Sequence, residues 1–143
     1  MAAILCGYPQ GQRQPTQCIL LWEQERVMKN KANESLNLIW SNPDAGVAKN
    51  FVFMYALNSK LKGWWEEVQL IVWGPTAKML AEDPEMQREV AKLMENGVHV
   101  SACRRCAENY GVVEKLEALN LEVIFMGQPL TKMLKDGEKV LVA

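Results

Sequence analysis

The chain has 143 residues, a net charge of -1 and an isoelectric point near 5.9, with 49% hydrophobic residues. That length suits one domain burying about two thirds of its unfolded surface, and near-neutrality excludes the basic footprint of a nucleic-acid binder. No apolar run approaches the ~20 residues of a membrane span, and Met1-Ala2-Ala3-Ile4-Leu5-Cys6-Gly7 lacks the charged and extended apolar regions of a secretory signal, so the reading is a cytoplasmic protein with no membrane partner.

Residues 1–34 read as an N-terminal extension, poorly ordered or forming a peripheral helix: Gln-rich, with Cys6 and Cys18, and with Ile19-Leu20-Leu21-Trp22 as its only packing segment. Met28 stands just before the first periodic segment. From residue 35 to 143 strands and helices alternate. Leu36–Trp40 is a strand, Ser41-Asn42-Pro43-Asp44-Ala45-Gly46 a turn and helix start, and a helix then runs to about Lys62 with Val47, Phe51, Met54, Tyr55 and Leu61 on one face. Gly63 stops it. Val68–Trp73 is the second strand, ended by Gly74-Pro75-Thr76, with a short helical turn over Ala77–Ala81. Asp83 and Pro84 provide an N-cap and a first-turn proline for a helix that buries Met86, Val90, Leu93 and Met94 and closes at Gly97. The third strand is Val98–Ala102. A helix broken near Gly111 carries Val113, Leu116 and Leu119 to a fourth strand, Glu122–Phe125; Gln128-Pro129-Leu130 opens a last short helix ending at Gly137, and Glu138–Val142 is the fifth strand.

Alternation with short links predicts an α/β fold with a five-stranded, mainly parallel sheet covered on both faces, and the nearly continuous apolar strands agree with two-sided burial. Ligands of open parallel sheets bind outside the carboxyl ends of the strands. Ser41, Asn42, Pro43, Gly74, Pro75, Thr76, Cys103, Arg104, Met126 and Gly127 stand at those ends.

The chemistry-bearing segment is Val98-His99-Val100-Ser101-Ala102-Cys103-Arg104-Arg105-Cys106, a strand running into a CxxC with two internal arginines. Positive charge and a helix start both lower a thiol pKa, and Cys106-Ala107-Glu108-Asn109 reads as a first helical turn, so Arg104 and Arg105 are expected to stabilise a thiolate. Buried thiols acting as small hydrophobes are the plain alternative. Zinc would need four ligands, and His99, the only histidine, lies about 13 Å from Cys103 along an extended strand, which also removes a local Cys-His dyad. No metal is therefore assigned. His99 reads as a sheet-face residue with a hydrogen bond, or as an interface residue. A thioredoxin-like centre places its CxxC after an early strand, whereas this one follows the third of five; a thiol-disulfide redox role stays open. Trp40 and Trp73 read as core or pocket lining, Trp64-Trp65 as a subunit interface if exposed, and Gly74-Pro75-Thr76 lacks the glycines and lysine of a phosphate loop.

Trp73-Gly74-Pro75-Thr76-Ala77-Lys78-Met79-Leu80, Gly97 through Ala107, Tyr110-Gly111-Val112 and Gly127-Gln128-Pro129-Leu130-Thr131, in this order, resemble the DsrE/DsrF-like (YchN-like) family over about residues 35–143. The resemblance implies a three-layer α/β/α sandwich, homotrimers or homohexamers, and a cysteine after the third strand that carries sulfur as a persulfide; Cys103 matches that position. It implies no cofactor, and partners that are sulfur donor or acceptor proteins. Cys106 departs from the sulfur-relay members. The expected function is a cytoplasmic sulfur relay of sulfurtransferase type with Cys103 and Cys106 as reactive thiols, against an oligomeric protein that binds a small ligand or partner without catalysis.

Overall fold

The computed structural model describes residues 15–143. Five strands, β1 (Ser35–Trp40), β2 (Glu67–Val72), β3 (His99–Cys103), β4 (Glu122–Ile124) and β5 (Lys139–Val142), form one sheet in the order β4-β3-β2-β1-β5 with every pairing parallel. Parallel neighbours need crossover connections, and these are right-handed. From β1 to β4 the chain steps in one direction across the sheet, so its intervening helices fall on one face; the return from β4 to β5 runs the other way and puts its helix on the opposite face.

The packing follows this division. On the first face lie the run Ala45–Leu61 (α2 Ala45–Val47, a π-helical segment Ala48–Phe53 and α3 Met54–Leu61), α4 (Thr76–Glu82), α5 (Pro84–Glu95), α6 (Arg104–Tyr110) and α7 (Val113–Ala118). Their buried side chains, including Val52, Leu80, Met86, Leu93 and Leu116, pack on Leu36, Leu38, Trp40, Leu70, Val72 and Val100 in the main core. Each fully buried aliphatic side chain contributes about 1.5–3 kcal/mol. The second face carries a smaller cluster of Ile39, Ile71, Cys103 and Met126, covered by Leu130 and Met133 of α8 (Gly127–Lys135).

Local signals explain the boundaries. Asp83 accepts from the backbone N–H groups of Glu85 and Met86 at the start of α5, ahead of Pro84. Asp44 does the same for Val47. Gly111 ends α6 in the left-handed region at φ 65°, a conformation costly for any residue with a Cβ.

Residues 15–34 form a helix, α1 (Pro15–Glu34), that enters β1 without a linker and leaves Ile19, Trp22, Val27 and Met28 at least 60% exposed. The expected strands and helices are present with shifts of one or two residues. Two matter for the chemistry: β3 extends to Cys103, and α6 begins at Arg104 rather than near Cys106.

Candidate functional site

Cys103 is the last residue of β3 and the N-cap position of α6, and Cys106 falls in that helix's first turn. β3 and β4 are neighbours, with Cys103 opposite Ile124, and their outgoing connections leave toward opposite faces. Cys103 therefore sits at the sheet end, between the main core and the α8 layer. Its side chain faces Ile39, Ile71 and Met126 with Trp73 and Leu130 at the edge, an apolar surround of low polarity. Cys106 packs at the margin of both cores.

Both thiols are free. Cys103 is 5% exposed, while Cys106 is half-buried. Burial pushes the Cys106 thiol pKa above its ordinary value of 9.0, and its hydrogen bond with the Cys103 thiol pushes the same way; the backbone N–H groups of Gly74 and of Cys106 itself act in opposition. Cys106 is thus protonated at neutral pH, beside Cys103 and near Gly74, the second residue after β2.

The two arginines do not stand free beside the sulfurs. Arg104 Nε lies 3.1 Å and an Arg105 terminal nitrogen 3.3 Å from the two carboxylate oxygens of Glu108, one helical turn on. Both guanidinium groups also lie over the half-exposed ring of Phe125, at 5.9 and 5.8 Å from its centroid. The two arginines expected to stabilise a thiolate thus belong to an Arg-Glu-Arg cluster seated on an aromatic ring beside Cys103 in the chain, with one positive charge in excess.

Other sequence candidates divide by strand order. Gly74 meets Cys106 directly, and Pro75 begins the turn into α4. Thr76 is fully buried, and its hydroxyl lies 2.7 Å from the Trp40 carbonyl and 2.9 Å from that of Trp73, a tie between the ends of β1 and β2 rather than a free ligand group. Ser41 and Asn42 both donate from their backbone N–H groups to the Ala143 carbonyl, on the β5 side of the sheet. With β2 between β1 and β3, about 10 Å separates that end from Cys103. Gly127 opens α8 immediately after the buried Met126 and beside the Cys103 cluster.

Trp40 is core, edge-on to Phe53 at 4.9 Å, whereas Trp73 borders the thiol cluster. The Trp64-Trp65 pair splits: Trp64 is 53% exposed, and Trp65 is partly buried with its indole N–H 3.3 Å from the Tyr55 hydroxyl. His99 is exposed and pairs with Glu122 at 3.1 Å on the sheet face. Among the described residues no three His, Cys, Asp or Glu side chains group as a metal site, and no helix is long and apolar enough to cross a membrane. Cys6 lies outside the described residues.

Three features of the site escaped the sequence reading. Met126 is legible as a strand-end residue, but its closure with α8 over Cys103 depends on a connection spanning the whole sheet, which no local pattern reveals. Phe125 reads in the sequence only as the end of a strand. Glu108 carried a readable signal, since its spacing of four and three from the arginines places it on their helix face.

The comparisons with known proteins agree with this architecture. The family model described as "DsrE/DsrF-like family" matches residues 32–143. A solved structure described as a conserved protein of unknown function from Bacteroides thetaiotaomicron is similar, with 39% sequence identity and a TM-score of 0.77 over 79% of this chain and 97% of that one. No curated protein matches the chain. With a family match from Ala32 to the last strand, a parallel five-stranded sheet and a cysteine closing β3, the chain belongs to the DsrE/DsrF-like family.

Proposed function

We propose that this protein is a sulfur-relay carrier that holds sulfane sulfur as a persulfide on Cys103. The observation that carries the reading is the placement of Cys103 at the carboxyl end of a central strand, in an apolar surround and against a second thiol. In the loading step the Cys103 thiolate attacks the terminal sulfur of a donor persulfide. The donor S–S bond breaks, a new S–S bond forms on Cys103, and the donor leaves as its thiolate. Ile39, Ile71, Met126 and Trp73 limit water around the loaded sulfur, while the neighbouring Arg104-Arg105-Glu108 cluster supplies a modest attraction for anionic donors. Cytoplasmic location, a homotrimer or homohexamer, and donor and acceptor proteins belong to the same proposal.

The 5% exposure of Cys103 favours a second reading, an oligomeric binding protein whose buried thiol only packs. Intact-mass measurement of the reduced protein after exposure to inorganic polysulfide separates them. The carrier gains one sulfur atom that a thiol reductant removes, and Cys103→Ser gains none; a packing thiol gives no gain in either protein.

A further inference from the structure

We infer that Cys106 is a resolving thiol that discharges the Cys103 persulfide as sulfide by forming a Cys103–Cys106 disulfide. The inference rests on the carrier reading and adds to it a fate for the sulfur.

Three observations place Cys106 for this role. It lies three residues after Cys103, in the helical turn that Cys103 caps, a spacing that brings two thiols within disulfide reach. It packs at the edge of the cluster that holds Cys103. It is also the more exposed of the two, so in a Cys103–Cys106 disulfide it is the sulfur that a reductant from solution meets first.

The step balances without an added oxidant. Cys106 loses its proton and attacks the inner sulfur of the persulfide, the Cys103 Sγ. The bond from that sulfur to the sulfane sulfur breaks, and the sulfane sulfur leaves as hydrosulfide, which takes up the proton lost by Cys106. One persulfide and one thiol become one disulfide and one hydrogen sulfide. The sulfane sulfur is reduced to sulfide, and the two cysteine sulfurs are oxidised. Regeneration takes two electrons from a dithiol reductant, which attacks the exposed Cys106 sulfur and releases Cys103 as the leaving thiolate, ready to be loaded again.

The test uses the full chain, reduced, freed of reductant and kept free of oxygen, then treated with one equivalent of inorganic polysulfide. Intact mass and released sulfide are followed together for wild type, Cys106→Ser and Cys106→Ala. Wild type is expected to gain one sulfur transiently and then to settle two hydrogens below its reduced mass, with sulfide released in step. Both variants are expected to keep the added sulfur at least about tenfold longer and to form no internal disulfide. A wild-type persulfide that decays as slowly as in the variants, with no disulfide, overturns the resolving role while leaving the carrier reading intact. If neither wild type nor variants gain sulfur, the carrier reading fails and the resolving role fails with it. The wild-type disulfide and sulfide measurements stand even if a variant folds poorly.

Discussion

Cys106 is held in its protonated form by its surroundings. Its folded-state pKa is raised, chiefly by burial and by the bond to Cys103, so folding favours the protonated thiol. Stability from this source is complete below the ordinary value of 9.0 and is lost as pH rises through the raised value. Thermal melts across the alkaline range should therefore show wild type losing stability that Cys106→Ala does not lose, and identical profiles would remove the coupling. Alkylation of Cys106 should likewise be slow at neutral pH and keep rising with pH past 9.0, with no plateau below that value. Thr76 is a second residue with a definite expectation. Its buried hydroxyl ties the ends of β1 and β2, so Thr76→Val should cost about 1–3 kcal/mol in denaturant unfolding without changing the cysteines. A neutral result would show that those carbonyls are satisfied without it.

At the scale of elements, α8 is the part of the design that the chain's local pattern conceals. The strands were legible because each is a short apolar run bounded by glycine, proline or a capped helix, and α5 was legible from Asp83, Pro84 and its buried stripe of Met86, Val90 and Leu93. The π-helical segment at Ala48–Phe53 left no local signal, since the apolar residues recur much as they would in an ordinary helix. Strand order is likewise not local: the β1 end carrying Ser41 and Asn42 looked equivalent to the β3 end, and only the sheet order β4-β3-β2-β1-β5 separates them. α8 covers Cys103 because the return crossover from β4 to β5 must take the opposite face. Met126, 1% exposed at its start, is the direct test. Met126→Ala should cost about 2–5 kcal/mol and speed alkylation of Cys103, because the space left lies against that thiol. Unchanged labelling would mean that access to Cys103 is governed elsewhere.

For the molecule as a whole, the domain matched by the family model and the preceding helix are separable expectations. α1 joins β1 directly but exposes the large apolar side chains from Ile19 to Met28, and among the described residues both cores are built from residues after Glu34. A chain beginning at Met28 should melt within about 10 °C of the full chain, and a larger fall would show that α1 contributes packing. The proposed trimer or hexamer draws on exposed apolar side chains of the domain, with Met54, Leu61 and Trp64 between 53% and 60% exposed. Light scattering at micromolar concentration should give three or six times the 16.2 kDa of one chain, and a persistent monomer would contradict assembly. The central claim remains the sulfur atom on Cys103. Its most direct measurement is peptide mapping of the Cys106→Ser chain after sub-stoichiometric polysulfide near neutral pH, with the Cys103→Ser chain alongside. The account predicts one added, reductant-removable sulfur on the peptide containing Cys103 and none in the second chain; sulfur distributed equally over other cysteines, or found on none, would contradict it.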